Sequence, residues 1–363
     1  MKTTLLGFGT TMLLALVGCQ EEAPVVHKRP PVAAPVPSVA PGIEIDSAKL
    51  ALYTPLPDAM ESKANPSTPD KVALGRMLFF DQRLSKSQET SCNTCHDLEK
   101  FGVDGNAVPT NGKGPLGLRN TPTVYNAALA FVQDWDGRSE TVEDQAKDHL
   151  TSPTAMAATS AESVIDTLKS VPGYVDAFKK AFPDDDVPMS APNLAKAIGA
   201  FERKLVTPSK WDRYLKGDKS ALGEDEKKGF LAFIDTGCAA CHMGPLVGGI
   251  MYQKLGLVKP WPNAKDKGRS LVTKSASDDM MFKASALRNI ERTAPYFHDG
   301  STKTLEEAVK MMATYQLNKE LSDETIKSIV TWFAALTGAP PSDLVGKPAL
   351  PESPAKAQKP AKK

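Results

Sequence analysis

The chain has 363 residues, 41% hydrophobic and 24% charged, long enough for two domains of ordinary size. Its 44 basic and 43 acidic residues leave a formal net charge of +1, which indicates neither nucleic acid nor an anionic membrane surface as a partner.

Lys2 and the apolar run ending Leu13-Leu14-Ala15-Leu16-Val17-Gly18 predict a secretory signal over residues 1–18. The run is too short, and its exit too rich in small residues, to span a bilayer. Leu16-Val17-Gly18-Cys19 resembles the bacterial lipobox, in which Cys19 would carry the lipid; an ordinary secretory signal that contains Cys19 is the alternative. No second stretch approaches membrane-span length, so attachment would rest on acyl chains alone. Residues 19–47, rich in Pro, Ala and Val, read as an extended tether, with His27 a solvated linker residue.

The next pattern is helical. Ser67-Thr68-Pro69-Asp70 starts a helix carrying Val72, Leu74, Met77, Leu78 and Phe79. Val164, Leu168 and Val171 extend one begun after Ser160, and Leu194, Ile198, Phe201 and Leu205 share a helical face. Thr304-Leu305-Glu306-Glu307 is a capping box. Ser322 caps a last helix with Ile326, Ile329, Val330 and Phe333 inward and Gly338 as its stop. Gly102 to Pro122 is a long loop of the kind that is usually functional. No convincing alternating strand is visible, so the fold class is all-α.

Two short stretches organise this pattern: Ser91-Cys92-Asn93-Thr94-Cys95-His96-Asp97 and Gly237-Cys238-Ala239-Ala240-Cys241-His242-Met243. C-x-x-C-H is the attachment signature of c-type haem, in which the thiols take the two vinyl groups and the histidine meets the iron. A zinc ribbon sets its two pairs about 15–20 residues apart, far closer than Cys95 and Cys238. Two covalent haem c groups follow, and with Cys19 they account for all five cysteines, leaving none for a disulfide. One motif near the start of each half predicts two tandem cytochrome c-like domains, at 48–206 and 207–338. Residues 339–363, Pro- and Lys-rich, read as a disordered tail.

Leu84-Ser85-Lys86-Ser87, Arg119-Asn120-Thr121-Pro122-Thr123, Trp135-Asp136-Gly137-Arg138, Ala286-Leu287-Arg288-Asn289 and Pro295-Tyr296-Phe297-His298-Asp299-Gly300 surround these motifs. In that order and spacing, over about residues 48–338, the chain resembles the bacterial di-haem cytochrome c peroxidase family, which includes the MauG-type enzymes. The resemblance implies a peroxidase of the bacterial periplasm that reduces hydrogen peroxide to water. Its electrons would come from a small cytochrome c or cupredoxin, and members are often homodimers. It also implies that the C-terminal haem takes up electrons and the N-terminal haem cleaves peroxide. Met312 falls where the family has its methionine ligand, with Met311 the competitor, and His/Met ligation suits an electron acceptor. The tyrosine that MauG-type enzymes carry there is absent. Trp135 matches the tryptophan between the haems, and Asn120, Thr293 and Pro295 match positions that hold a calcium ion.

Two departures fall on the peroxidatic side. The loop before Arg119 lacks the histidine that caps the N-terminal iron at rest, so that haem should be open; Lys113 is the substitute ligand to weigh against a solvated lysine. The family's distal glutamate falls at or beside Ala155, which cannot move a proton. Gln145 is matched but does not titrate. His149, one helical turn on if the helix persists, could replace the glutamate, bind the iron, or sit at the surface beside Asp148. The rival expectations are a MauG-like oxidase of partner Tyr or Trp residues and an electron-transfer cytochrome without catalysis.

Overall fold

The computed structural model describes residues 42–110 and 117–354. Cys19, His27 and Lys113 lie outside the described residues. From Ile43 onward the chain forms one compact unit.

Local signals set most helix starts. α1 (Ser47–Leu50) is capped by Asp46, and α2 (Pro69–Phe79) by Thr68 with Pro69 at its first position. α3 (Cys92–Cys95) is the single turn carrying the first pair of thiols, and α4 (Val142–Thr151) is capped by Thr141. Ser160 caps α5 (Ala161–Lys169), which ends before Val171; that residue precedes α6 (Pro172–Ala181). Ser190 caps α7 (Ala191–Glu202); Leu205 lies beyond its end yet is fully buried. In the second half α8 (Lys210–Leu215) begins with a Ser209–Asp212 capping box. α9 (Glu224–Thr236) stops at the left-handed Gly237. After α10 (Ser270–Thr273), Thr304 and Ser322 cap α11 (Leu305–Leu317) and α12 (Asp323–Ala334).

The all-α expectation needs one correction. Strands β1 (Tyr252–Lys254) and β2 (Met281–Lys283) pair antiparallel, Gln253 opposite Phe282. Three-residue strands separated by a long connection leave no alternation to read. The fold is mostly helical with a small sheet.

Two helix pairs carry the cores. α2 crosses α7 at Gly75, where a Cβ would run into the Ala197 carbonyl, and Phe79 meets Phe201 edge-on at 5.4 Å. α9 crosses α12 at Gly229, where a Cβ would strike the Ser328 carbonyl. Around this second crossing Trp211, Phe230, Phe233 and Trp332 form an aromatic cluster.

The join near 206–208 is pinned. The fully buried Thr207 hydroxyl accepts from the amides of Asn126 (2.8 Å) and Asn289 (2.9 Å), one from each half. Gly338 lies past the end of α12 and serves close backbone packing against Thr207 instead of stopping the helix.

Both chain ends cross over, which corrects the expected boundaries. The body begins at Ile43, before residue 48: Ile45 and Tyr53 are buried in the C-terminal core, and Leu56 N–H donates to Asp212 at 2.7 Å. At the other end, residues 339–354 are ordered structure and not a disordered tail. α13 (Ser342–Val345) lays Leu344 and Val345 on the N-terminal core, while Arg76 donates to the Gly346 carbonyl and Arg83 to the Ser353 hydroxyl. Proline and lysine composition hid this, because the order comes from partners far away in sequence.

Candidate functional site

Each C-x-x-C-H is a short turn followed by a histidine aimed by a backbone carbonyl. His96 Nδ1 lies 3.3 Å from the Gly102 carbonyl, and His242 Nδ1 lies 3.1 Å from that of Ser285. A carbonyl can only accept, so each Nδ1 carries the proton and Nε2 is left as the ring atom for a metal. Burial lowers the basicity of both rings, aided at His96 by the charge of His149. Gly248, at φ +131°, lets its strand of chain pass close to the Ser285 carbonyl and the His242 ring. Cys92, Cys95, Cys238 and Cys241 form no disulfide.

Both imidazoles line one cavity of about 420 Å³. Around His242 its wall is apolar, with Phe233, Leu246, Val309, Ile329 and Phe333. Met312 faces the same cavity, whereas Met311 does not and instead accepts a hydrogen bond from the Thr302 hydroxyl. Two carbonyl-oriented imidazoles, free thiol pairs and apolar walls fit two haem c groups, which Cys92, Cys95 and His96 and Cys238, Cys241 and His242 would hold; Cys238 and Cys241 line the cavity, whereas Cys92 and Cys95 do not. The His298 ring supports the fit: it is almost wholly buried, it lines the cavity, and its Nε2 has no partner among the described residues.

Trp135 lies along the cavity, its indole N–H donating to the Asn120 carbonyl at 2.8 Å. Asn120, Thr293 and Pro295 line it too. Among the described residues no cluster of three His, Cys, Asp or Glu could hold a metal ion, so a cation here would take neutral oxygens and water.

The N-terminal end is built by α4, which persists far enough to put Gln145 and His149 on one face of the cavity beside His96. Gln145 Nε2 lies 3.2 Å from His149 Nδ1, and His149 Nε2 lies 3.2 Å from Asp134 Oδ1. The Ser139 hydroxyl donates to the other Asp134 oxygen at 3.0 Å. Burial opposes ionisation of Asp134, but the bond and charge of His149, with Ser139 and Arg138, hold it below the usual carboxylate range. Ala155 sits in a turn after α4 and does not line the cavity.

Three residues here escaped the sequence reading. Asp134 is distant in sequence from the histidine it meets. Glu202, 6% exposed, lines the cavity near Cys92; burial and the neighbouring charge of Glu143 raise it to about 8. A glutamate on the apolar stripe of α7 was the available signal. Lys283 on β2 is pushed down to about 8 by burial, its ammonium donating to the Val132 carbonyl near Asp134 and Asp136.

Residues 69–220 match the family described as di-haem cytochrome c peroxidase. The chain is 45% identical to a cytochrome c551 peroxidase of Pseudomonas aeruginosa, over 86% of this chain and 91% of that one. It is 39% identical to a methylamine utilization protein MauG of Methylorubrum extorquens, over 67% and 69% of the two chains. Among solved structures, a MauG-like protein associated with microbial copper homeostasis superposes with a TM-score of 0.70 at 26% identity, covering 81% of this chain and 95% of that one.

Proposed function

The chain belongs to the di-haem cytochrome c peroxidase family and is a haem-dependent peroxidase, and we propose that it reduces hydrogen peroxide to water with electrons from a small cytochrome c or cupredoxin. The observation that carries this reading is one cavity lined by two carbonyl-held imidazoles, by Met312 and by the Gln145–His149 pair. Greater identity to the peroxidase than to MauG supports it over the oxidase reading.

When bound, haem supplies the iron for peroxide and the route by which electrons reach it. The chain's residues do the rest. Met312 would ligate on the C-terminal side, its thioether favouring the reduced state and so raising the potential at which the oxidised haem accepts an electron. Trp135, beside the cavity, bridges the two sides. Each peroxide takes up two electrons and two protons to give two waters, so protons must be moved at the N-terminal end. Gln145 would hold peroxide there, and His149 is the side chain that can move a proton in place of the absent glutamate. Asn120, Thr293 and Pro295 would supply oxygens to a calcium ion.

This reading also places the protein in the bacterial periplasm, held by lipid on Cys19, and as a homodimer. Among the described residues no helix is long and apolar enough to cross a membrane. Steady-state oxidation of a reduced small cytochrome c by the di-haem protein and peroxide tests the function. Turnover is expected. Its absence would leave an electron-transfer cytochrome, and oxidised Tyr or Trp in a partner protein would point to the oxidase.

A further inference from the structure

We propose that Asp134 is a positioning residue which, acting through His149, fixes the face of the Gln145 amide that is turned into the cavity beside His96. The proposal rests on the peroxidase reading for its consequence, but its geometry stands on the chain alone.

With His149 neutral, the polarity of the chain of hydrogen bonds is forced step by step. Asp134 is ionised and can only accept, so His149 Nε2 must carry a hydrogen for the 3.2 Å contact to be a bond. In the neutral imidazole Nδ1 is then a bare lone pair. The Gln145 group 3.2 Å from it must therefore be the amide NH₂. With NH₂ committed to His149, Gln145 has its carbonyl oxygen to offer the cavity. An oxygen there accepts a hydrogen bond from an O–H of bound peroxide, which orients the proton that has to move.

The anchor of this chain is well held. Asp134 sits in the left-handed region at φ +60°, and the Ser139 hydroxyl, itself buried, fixes its second oxygen. Arg138 and Lys283 add positive charge around it. His149 has both ring nitrogens engaged by protein groups, so it sets the orientation of Gln145 before it exchanges any proton.

Asp134→Asn reverses the argument. An asparagine amide can donate to Nε2, which moves the histidine proton to Nδ1, and Gln145 must then turn its oxygen to His149 and its NH₂ to the cavity. Carbon monoxide bound to the reduced N-terminal haem is the probe. An N–H facing it lowers the C–O stretch, and a carbonyl oxygen raises it. The di-haem Asp134→Asn protein is expected to show a lower stretch than wild type and a kcat/KM for peroxide reduced by on the order of 10²-fold. In a Gln145→Leu background the same substitution should leave the stretch unchanged.

Ser139→Ala removes only the supporting hydroxyl and leaves Asp134 an acceptor, so its stretch should stay near that of wild type. An unchanged stretch in Asp134→Asn overturns the proposal, as does a shift that persists in the Gln145→Leu background. A wild-type protein without peroxide turnover, but with the stretch shift intact, would remove the peroxidase reading and leave the dyad standing.

Discussion

Glu202 gives the prediction with the clearest magnitude. Its carboxyl is buried at the end of α7, with its pKa raised from 4.5 to about 8 by burial and then by Glu143. Between these values the folded protein keeps a proton that the unfolded chain has lost. Stability from this group is therefore fully present below pH 4.5 and falls as pH rises through about 8, flattening beyond. Each pH unit crossed costs about 1.4 kcal/mol, so on the order of 3 kcal/mol is lost between pH 5 and pH 7. Glu202→Gln keeps the shape and removes the titration. Urea unfolding of the di-haem protein at pH 5, 7 and 9 should find variant and wild type similar at pH 5. The variant should be more stable by about that amount at pH 7 and by somewhat more at pH 9. Parallel pH profiles for the two proteins would refute the reasoning.

Met312→Ala should lower the midpoint potential of the C-terminal haem, seen by redox titration; an unchanged midpoint would move the ligand elsewhere. Arg288 and Asp212 form a bidentate pair, 1% and 2% exposed, at 2.7 and 2.9 Å. Arg288→Ala leaves Asp212 charged and buried, and should cost about 3–5 kcal/mol of unfolding free energy. Cys19→Ser should release the protein from the membrane fraction while both haems stay attached, as fractionation and a haem stain would report.

The legible parts of this chain were those whose signal is local. Thr68-Pro69 and Ser322 start helices where the sequence puts them, because a cap and its N–H partner lie three residues apart. The two C-x-x-C-H turns are equally local. The carbonyls of Gly102 and Ser285 that aim the histidines have no sequence signature, since any residue supplies a carbonyl. Asp134 was invisible as a partner of His149 for a related reason: a loop and a helix bring them together, and no spacing rule links the two. The strand pair failed on length, and the ordered tail on composition.

The crossed chain ends bear on how this protein responds to a cut. A protease that nicked the chain at 206–208 would yield two fragments, but each would still hold a piece of the other. The first would keep Ile45 and Tyr53 in the aromatic cluster of the second, and the second would keep Leu344 and Val345 on the core of the first. Such a nicked protein should migrate as one particle until denatured, because separation requires withdrawing one buried and one partly buried segment at once. Neither half expressed alone contains all of its own core.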